Sequence, residues 1–137
     1  MISFDNDLKK YKIKSFLLDK SIDSAEDFDF TKKNINSYND KNNITLDEFL
    51  NLKLQSKSNN KLILQMDVEG AEIETLYSTS IDTLDRFKII IIEFHHFFEI
   101  MTPMGLKVYN DIFDKLLFNH RIVHIHANNQ DGITLKY

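Results

Sequence analysis

Apolar residues in this chain gather in short runs, separated by polar stretches rich in Asn, Asp and Lys. Lys12–Asp19 (KIKSFLLD) reads as a strand that ends on an acid. The polar connection that follows carries a short strand near Phe28–Thr31. Thr45–Glu48 (TLDE) fits the S/T-x-x-E capping box, which predicts a helix from there to about Leu54. Lys61–Asp67 (KLILQMD) is a candidate buried strand, and Gly70–Thr79 turns helical. Lys88–Phe94 (KIIIIEF) is the clearest buried strand in the sequence. Leu106, Tyr109, Ile112, Phe113, Leu116 and Leu117 recur at helical spacing within Gly105–Phe118. Arg121–Ala127 and Ile133–Tyr137 read as two strands joined by turn chemistry, an antiparallel hairpin at the C-terminal end.

Apolar strands alternating with helices predict an α/β fold with a mostly parallel sheet covered on both faces. Ligands in such sheets bind beyond the carboxyl ends of the strands. Asp67 therefore falls at the end of a strand, where a site would open.

Length changes the picture only by limiting it: 137 residues suit a single domain. A formal charge of −4 and the lack of a basic, aromatic-rich stripe argue against nucleic acid as a partner. With no cysteine, thiol catalysis and disulfides are excluded. The longest apolar run, Ile89–Ile92, is far too short to span a bilayer, and Met1–Lys10 lacks the apolar stretch of a secretory signal. The expected location is the cytoplasm.

Three strand ends carry polar pairs two residues apart: Asp67/Glu69, Glu93/His95 and His124/His126. Residues i and i+2 of an extended chain share a face, so each pair can converge on a ligand. Acids and imidazoles together suit a divalent metal, or a general base with its orienting partner. Plainer roles compete. Glu69 and Glu72 fall in the first turn of a helix, where the macrodipole alone favours acids by about 0.3–1 kcal/mol. His124 and His126 share a face with Ile122 and suit a satisfied core histidine equally well. Glu93 is harder to treat as incidental. It follows four isoleucines, and a buried, unpaired carboxylate costs several kcal/mol. His95 and His96 are adjacent, so one at most faces the site, and the spacing from Glu93 selects His95. No G-x-G loop, P-loop, G-x-S-x-G or H-E-x-x-H occurs.

The succession ITLDEFL, LILQMDVEGAE, IIIIEFHHF and VHIHANN resembles the FkbM-type methyltransferases. In that family an apolar strand ends in Lys-Ile-Asp-x-Glu-Gly-x-Glu, and a later strand ends in Glu-x-His. Asp67, Glu69, Gly70 and Glu72 match the first element, with Gln65 and Met66 where Lys and Ile are frequent. Glu93 and His95 match the second. The resemblance implies a Rossmann-like methyltransferase fold and S-adenosylmethionine as cofactor. It places Asp67, Glu93 and His95 as catalytic residues on the acceptor side and Asp19 at the cofactor ribose. Glu69, His124, His126 and Asn128 then contact the substrate, a small molecule offering a hydroxyl on a sugar or similar group. A divalent ion on Asp67, Glu93 and His95 is a lesser alternative, and no metal is assigned.

The family's first strand and Gly-rich loop lie upstream of the part that Ile2–Leu8 resembles. Residues 1–137 are accordingly expected to be one partial, N-terminally truncated methyltransferase-like domain, whose exposed sheet edges invite self-association. Two other classes stay open. One is a non-catalytic or partner-binding remnant, the other a metal-dependent hydrolase.

Overall fold

The computed structural model describes residues 2–54 and 61–127. The architecture is mixed α/β: helices packed against short parallel strand pairs. Helix α1 covers Ile2–Lys10, and strands β1 (Phe16–Leu18) and β2 (Asp29–Thr31) pair in parallel. Strands β3 (Asn34–Ile35) and β4 (Asn43–Ile44) form a second parallel pair. Helix α2 is Leu46–Lys53, followed by β5 (Leu62–Met66), α3 (Glu72–Ser78), α4 (Ile81–Leu84) and β6 (Phe87–Ile92). A 3-10 turn at Phe97–Met101 leads into α5, Pro103–Leu117.

Local chemistry explains most of these boundaries. Thr45 caps α2 by accepting the Glu48 N–H at 3.2 Å, as the capping box predicts. Its reciprocal half is replaced, because the Thr45 N–H donates to Asn39 Oδ1 at 2.8 Å. Thr102 caps α5, with Pro103 in the first turn, so the helix begins earlier than the apolar spacing alone predicts. Gly105 is required there. A Cβ would come within 2.1 Å of the Glu99 carbonyl oxygen.

Strands β5 and β6 form the framework of the site. They pair in parallel, Met66 beside Ile92, and are joined through α3 and α4 as a βαβ unit. Leu64, Met66, Ile90 and Ile92 turn toward the core, which also holds Leu76, Leu84, Phe87, Ile112 and Leu116. Helix α5 contributes Tyr109, Ile112 and Leu116, at helical spacing, while Leu106 and Leu117 lie at its rim. Full burial of a side chain such as Leu76 or Ile112 stabilises by roughly 1.5–3 kcal/mol.

The expectation of strands buried on both faces is corrected here. Ile63, Ile89 and Ile91 form an open face of this pair, with Ile89 51 % and Ile91 46 % exposed. Each sheet among the described residues has two strands, and only one face of β5–β6 is covered. Arg121–Ala127 is exposed and pairs with no strand among the described residues. The other half of the expected C-terminal hairpin, Ile133–Tyr137, lies outside the described residues. Among those residues, no helix is long and apolar enough to cross a membrane.

Two polar ties hold the helices in place. Asp47 of α2 accepts from Ser80 Oγ, Thr83 Oγ1 and the Ser80 N–H, which anchors the start of α4. Lys115 of α5 donates to the carbonyls of Leu76, Tyr77 and Thr79, the last acceptors of α3.

Candidate functional site

Beyond Met66 the chain leaves β5 and turns sharply into α3. Glu69 adopts a left-handed conformation at φ 54° and Gly70 follows at φ 108°. Glu69 thus lies in the turn ahead of the helix, a correction to its expected first-turn place. A side chain on Gly70 would press on the His96 ring at 3.1 Å.

Glu72, the first residue of α3, is wholly buried. Its Oε1 accepts the Val68 N–H at 3.1 Å and the Gly70 N–H at 3.2 Å. The same oxygen lies 2.8 Å from His95 Nδ1. One carboxylate therefore shapes the turn and fixes the histidine. Its Oε2 has no hydrogen-bond partner among the described residues. Burial pushes the Glu72 carboxyl up. Hydrogen bonds from its own N–H, the Gly70 N–H, the His95 ring and the Val68 N–H outweigh that and hold it below the ordinary glutamate range.

With Nδ1 tied to Glu72, the Nε2 of His95 faces outward. It lies 3.9 Å from Asp67 Oδ1 and 3.5 Å from Glu69 Oε2. Burial lowers the His95 pKa, but the Glu72 hydrogen bond and the charges of Glu72, Glu69 and Asp67 overcome it and raise the pKa above its usual value. The structure thus joins Asp67, Glu69 and His95 in one polar group at the carboxyl ends of β5 and β6.

Glu93 follows β6 and is exposed, and its N–H donates to Met66 O at 3.0 Å. That bond continues the ladder and places Glu93 beside Asp67. His96 adopts a left-handed conformation at φ 57°, with its ring against Gly70. The Tyr109 hydroxyl, on a buried side chain, donates to the His95 carbonyl at 3.4 Å. Phe94, Phe97 and Phe113 pack around Tyr109, so the aromatic run serves as core and wall.

The remaining sequence candidates lie elsewhere. Asp19 follows β1, half-buried, with Oδ1 accepting from the N–H and hydroxyl of Ser21. His124 and His126 are exposed and stack on each other, ring centroids 6.3 Å apart. No hydrogen bond or ion pair among the described residues joins them to the His95 group. Asn128 lies outside the described residues.

The carboxylate–histidine group lies at the carboxyl ends of a parallel strand pair, the end at which α/β sheets bind ligands. The family is more particular: the chain belongs to the FkbM methyltransferases, whose methyltransferase FkbM domain matches residues 5–121. Neither the curated proteins nor the solved structures contain a significant match to the chain.

Proposed function

We propose that this domain transfers a methyl group from S-adenosylmethionine to a hydroxyl of a sugar or another small molecule. The observation that carries the reading is the meeting of Asp67, Glu69 and His95 at the ends of β5 and β6, with Glu72 behind them, in a chain of a methyltransferase family. S-adenosylmethionine, when bound, supplies a methyl group activated by its positive sulfur. The chain's own residues have the tasks of position, desolvation and proton removal. Asp67 and His95 hold the acceptor oxygen between them. Glu93, beside Asp67, is the general base that takes the hydroxyl proton. Glu69 contacts the acceptor from the exposed side, and His124, His126 and Asn128 complete the substrate contacts.

Asp19 fits a ribose-binding role. It ends a parallel strand, and its Oδ2 makes no hydrogen bond among the described residues. The net charge of −4 supports a small acceptor over nucleic acid. A cytoplasmic setting, without membrane attachment, belongs to the same proposal. Self-association is a second element, favoured by the exposed Ile63, Ile89 and Ile91 on two-stranded β5–β6.

Calorimetric titration with S-adenosylhomocysteine tests the cofactor part. Saturable binding that weakens in Asp19→Ala is expected. A folded chain that takes up no S-adenosylhomocysteine would contradict it.

A further inference from the structure

We infer that Asp67, Glu69 and His95 form a binding site for a divalent cation of the Mn²⁺ class. The inference rests on the acceptor-side reading above and adds the partner through which those residues hold an oxygen.

The three ligand atoms lie within 4.8 Å of one another. Ligands about 2.1 Å from a shared ion sit roughly 3–3.5 Å apart when adjacent. His95 Nε2 is 3.5 Å from Glu69 and 3.9 Å from Asp67, so small rotations close the set. Glu69 is 87 % exposed and has the room to make them.

The second observation is Glu72. This buried carboxylate holds Nδ1 at 2.8 Å and retains an unpartnered oxygen. With Nδ1 held by Glu72, Nε2 is the nitrogen that faces Asp67 and Glu69. Three acids around one imidazole favour positive charge at that point, a proton or a cation that displaces it, and a carboxylate behind a ligating histidine is the usual support of such a ligand.

The donor chemistry selects the ion. Two carboxylates favour Mg²⁺, Ca²⁺ and Mn²⁺, whereas imidazole favours the first-row transition metals. A mixed set with only three protein ligands suits Mn²⁺ and leaves positions for water or an acceptor hydroxyl. The set differs from the sequence-based alternative in that Glu69 takes the place of Glu93.

The test is titration of the chain with Mn²⁺ alone, read by loss of the free-ion paramagnetic resonance signal. One saturable site is expected. Glu69→Gln removes an exposed ligand, so it should weaken binding at least tenfold with an unchanged melting temperature. Glu72→Gln, which touches no metal, should weaken it about 10–100-fold. A Mn²⁺ signal unaffected by the parent chain would overturn the site, with a proton on Nε2 then filling that position. Equal binding by parent and Glu69→Gln would overturn it as well. The readout needs neither cofactor nor acceptor. A chain that binds Mn²⁺ but transfers no methyl group would refute methyl transfer alone. Full transfer in chelator, without Mn²⁺ binding, would refute the metal alone.

Discussion

Glu72 is the residue on which the site depends most, and its removal has a calculable cost. In Glu72→Ala the N–H groups of Val68 and Gly70 and the His95 ring lose one shared acceptor. Each backbone donor left without a partner costs about 1 kcal/mol at a half-buried position, and a bond to a charged group about 1.5–3 kcal/mol. The sum is about 3–5 kcal/mol, the range for breaking a buried ion pair. Losing the unfavourable burial of the carboxylate brings the expectation to the lower end. At about 3 °C per kcal/mol for a domain of this size, the midpoint should fall by about 10 °C. Glu72→Gln keeps an acceptor for the two N–H groups, so it should melt about 1–2 kcal/mol below the parent.

The Glu72–His95 pair also sets a pH signature. The His95 pKa is raised in the folded chain. Its contribution is therefore fully present below the unfolded histidine pKa and is lost as pH rises through the folded value. The gap between parent and Glu72→Gln should be wider at pH 6 than at pH 9. Thermal melts by circular dichroism in chelator measure both effects. A Glu72→Ala midpoint within 2 °C of the parent, or a Glu72→Gln gap that does not change with pH, would refute the reasoning.

The open face of β5–β6 predicts a contrast between two acidic substitutions. Met66→Asp buries a charge at a site 3 % exposed and should abolish cooperative unfolding, whereas Ile91→Asp, at 46 % exposure, should still fold. Matching melts for the two would contradict the assigned faces. Asp47 is held below the ordinary aspartate range: burial raises it, but hydrogen bonds from Ser80 and Thr83 prevail. Its contribution is present above the unfolded aspartate pKa and is lost as pH falls through the folded value. Acid unfolding of Asp47→Ala should therefore show a stability deficit at pH 7 that shrinks toward pH 2. Lys115→Met frees three carbonyls at the end of α3 and should cost about 1–3 kcal/mol in urea unfolding; a neutral result would rule out the tie.

Strong local signals made much of this fold legible. The Thr45 cap, the apolar run of β5 with Asp67 at its end, and the spacing of Tyr109, Ile112 and Leu116 are all features that one segment carries by itself. Faces were harder. Four consecutive isoleucines have no alternation, so the sequence does not reveal that Ile89 and Ile91 look outward while Ile90 and Ile92 look in. Helix α4 and strands β3 and β4 are too short to show a period. At the site, the sequence pairs Glu93 with His95, whereas the structure sets the His95 ring among Asp67, Glu69 and Glu72. Glu72 does not stand out in the sequence, because an acid in a first helical turn has an ordinary electrostatic reason to be there. Its sharing of one oxygen between a turn and a histidine 23 residues away is a tertiary property. The sharp turn at Glu69 and Gly70 is its local consequence. The Asp-x-Glu-Gly-x-Glu spacing was the available signal for it.

The most direct test of the account is methyl transfer itself. The parent chain and Glu93→Gln would be incubated with S-adenosylmethionine labelled in its methyl group and a panel of hydroxylated small molecules. The account predicts label in an acceptor with the parent and none with Glu93→Gln, whose melting temperature and S-adenosylhomocysteine affinity stay those of the parent. Equal transfer by the two would contradict the role of the β5–β6 strand ends as the acceptor site.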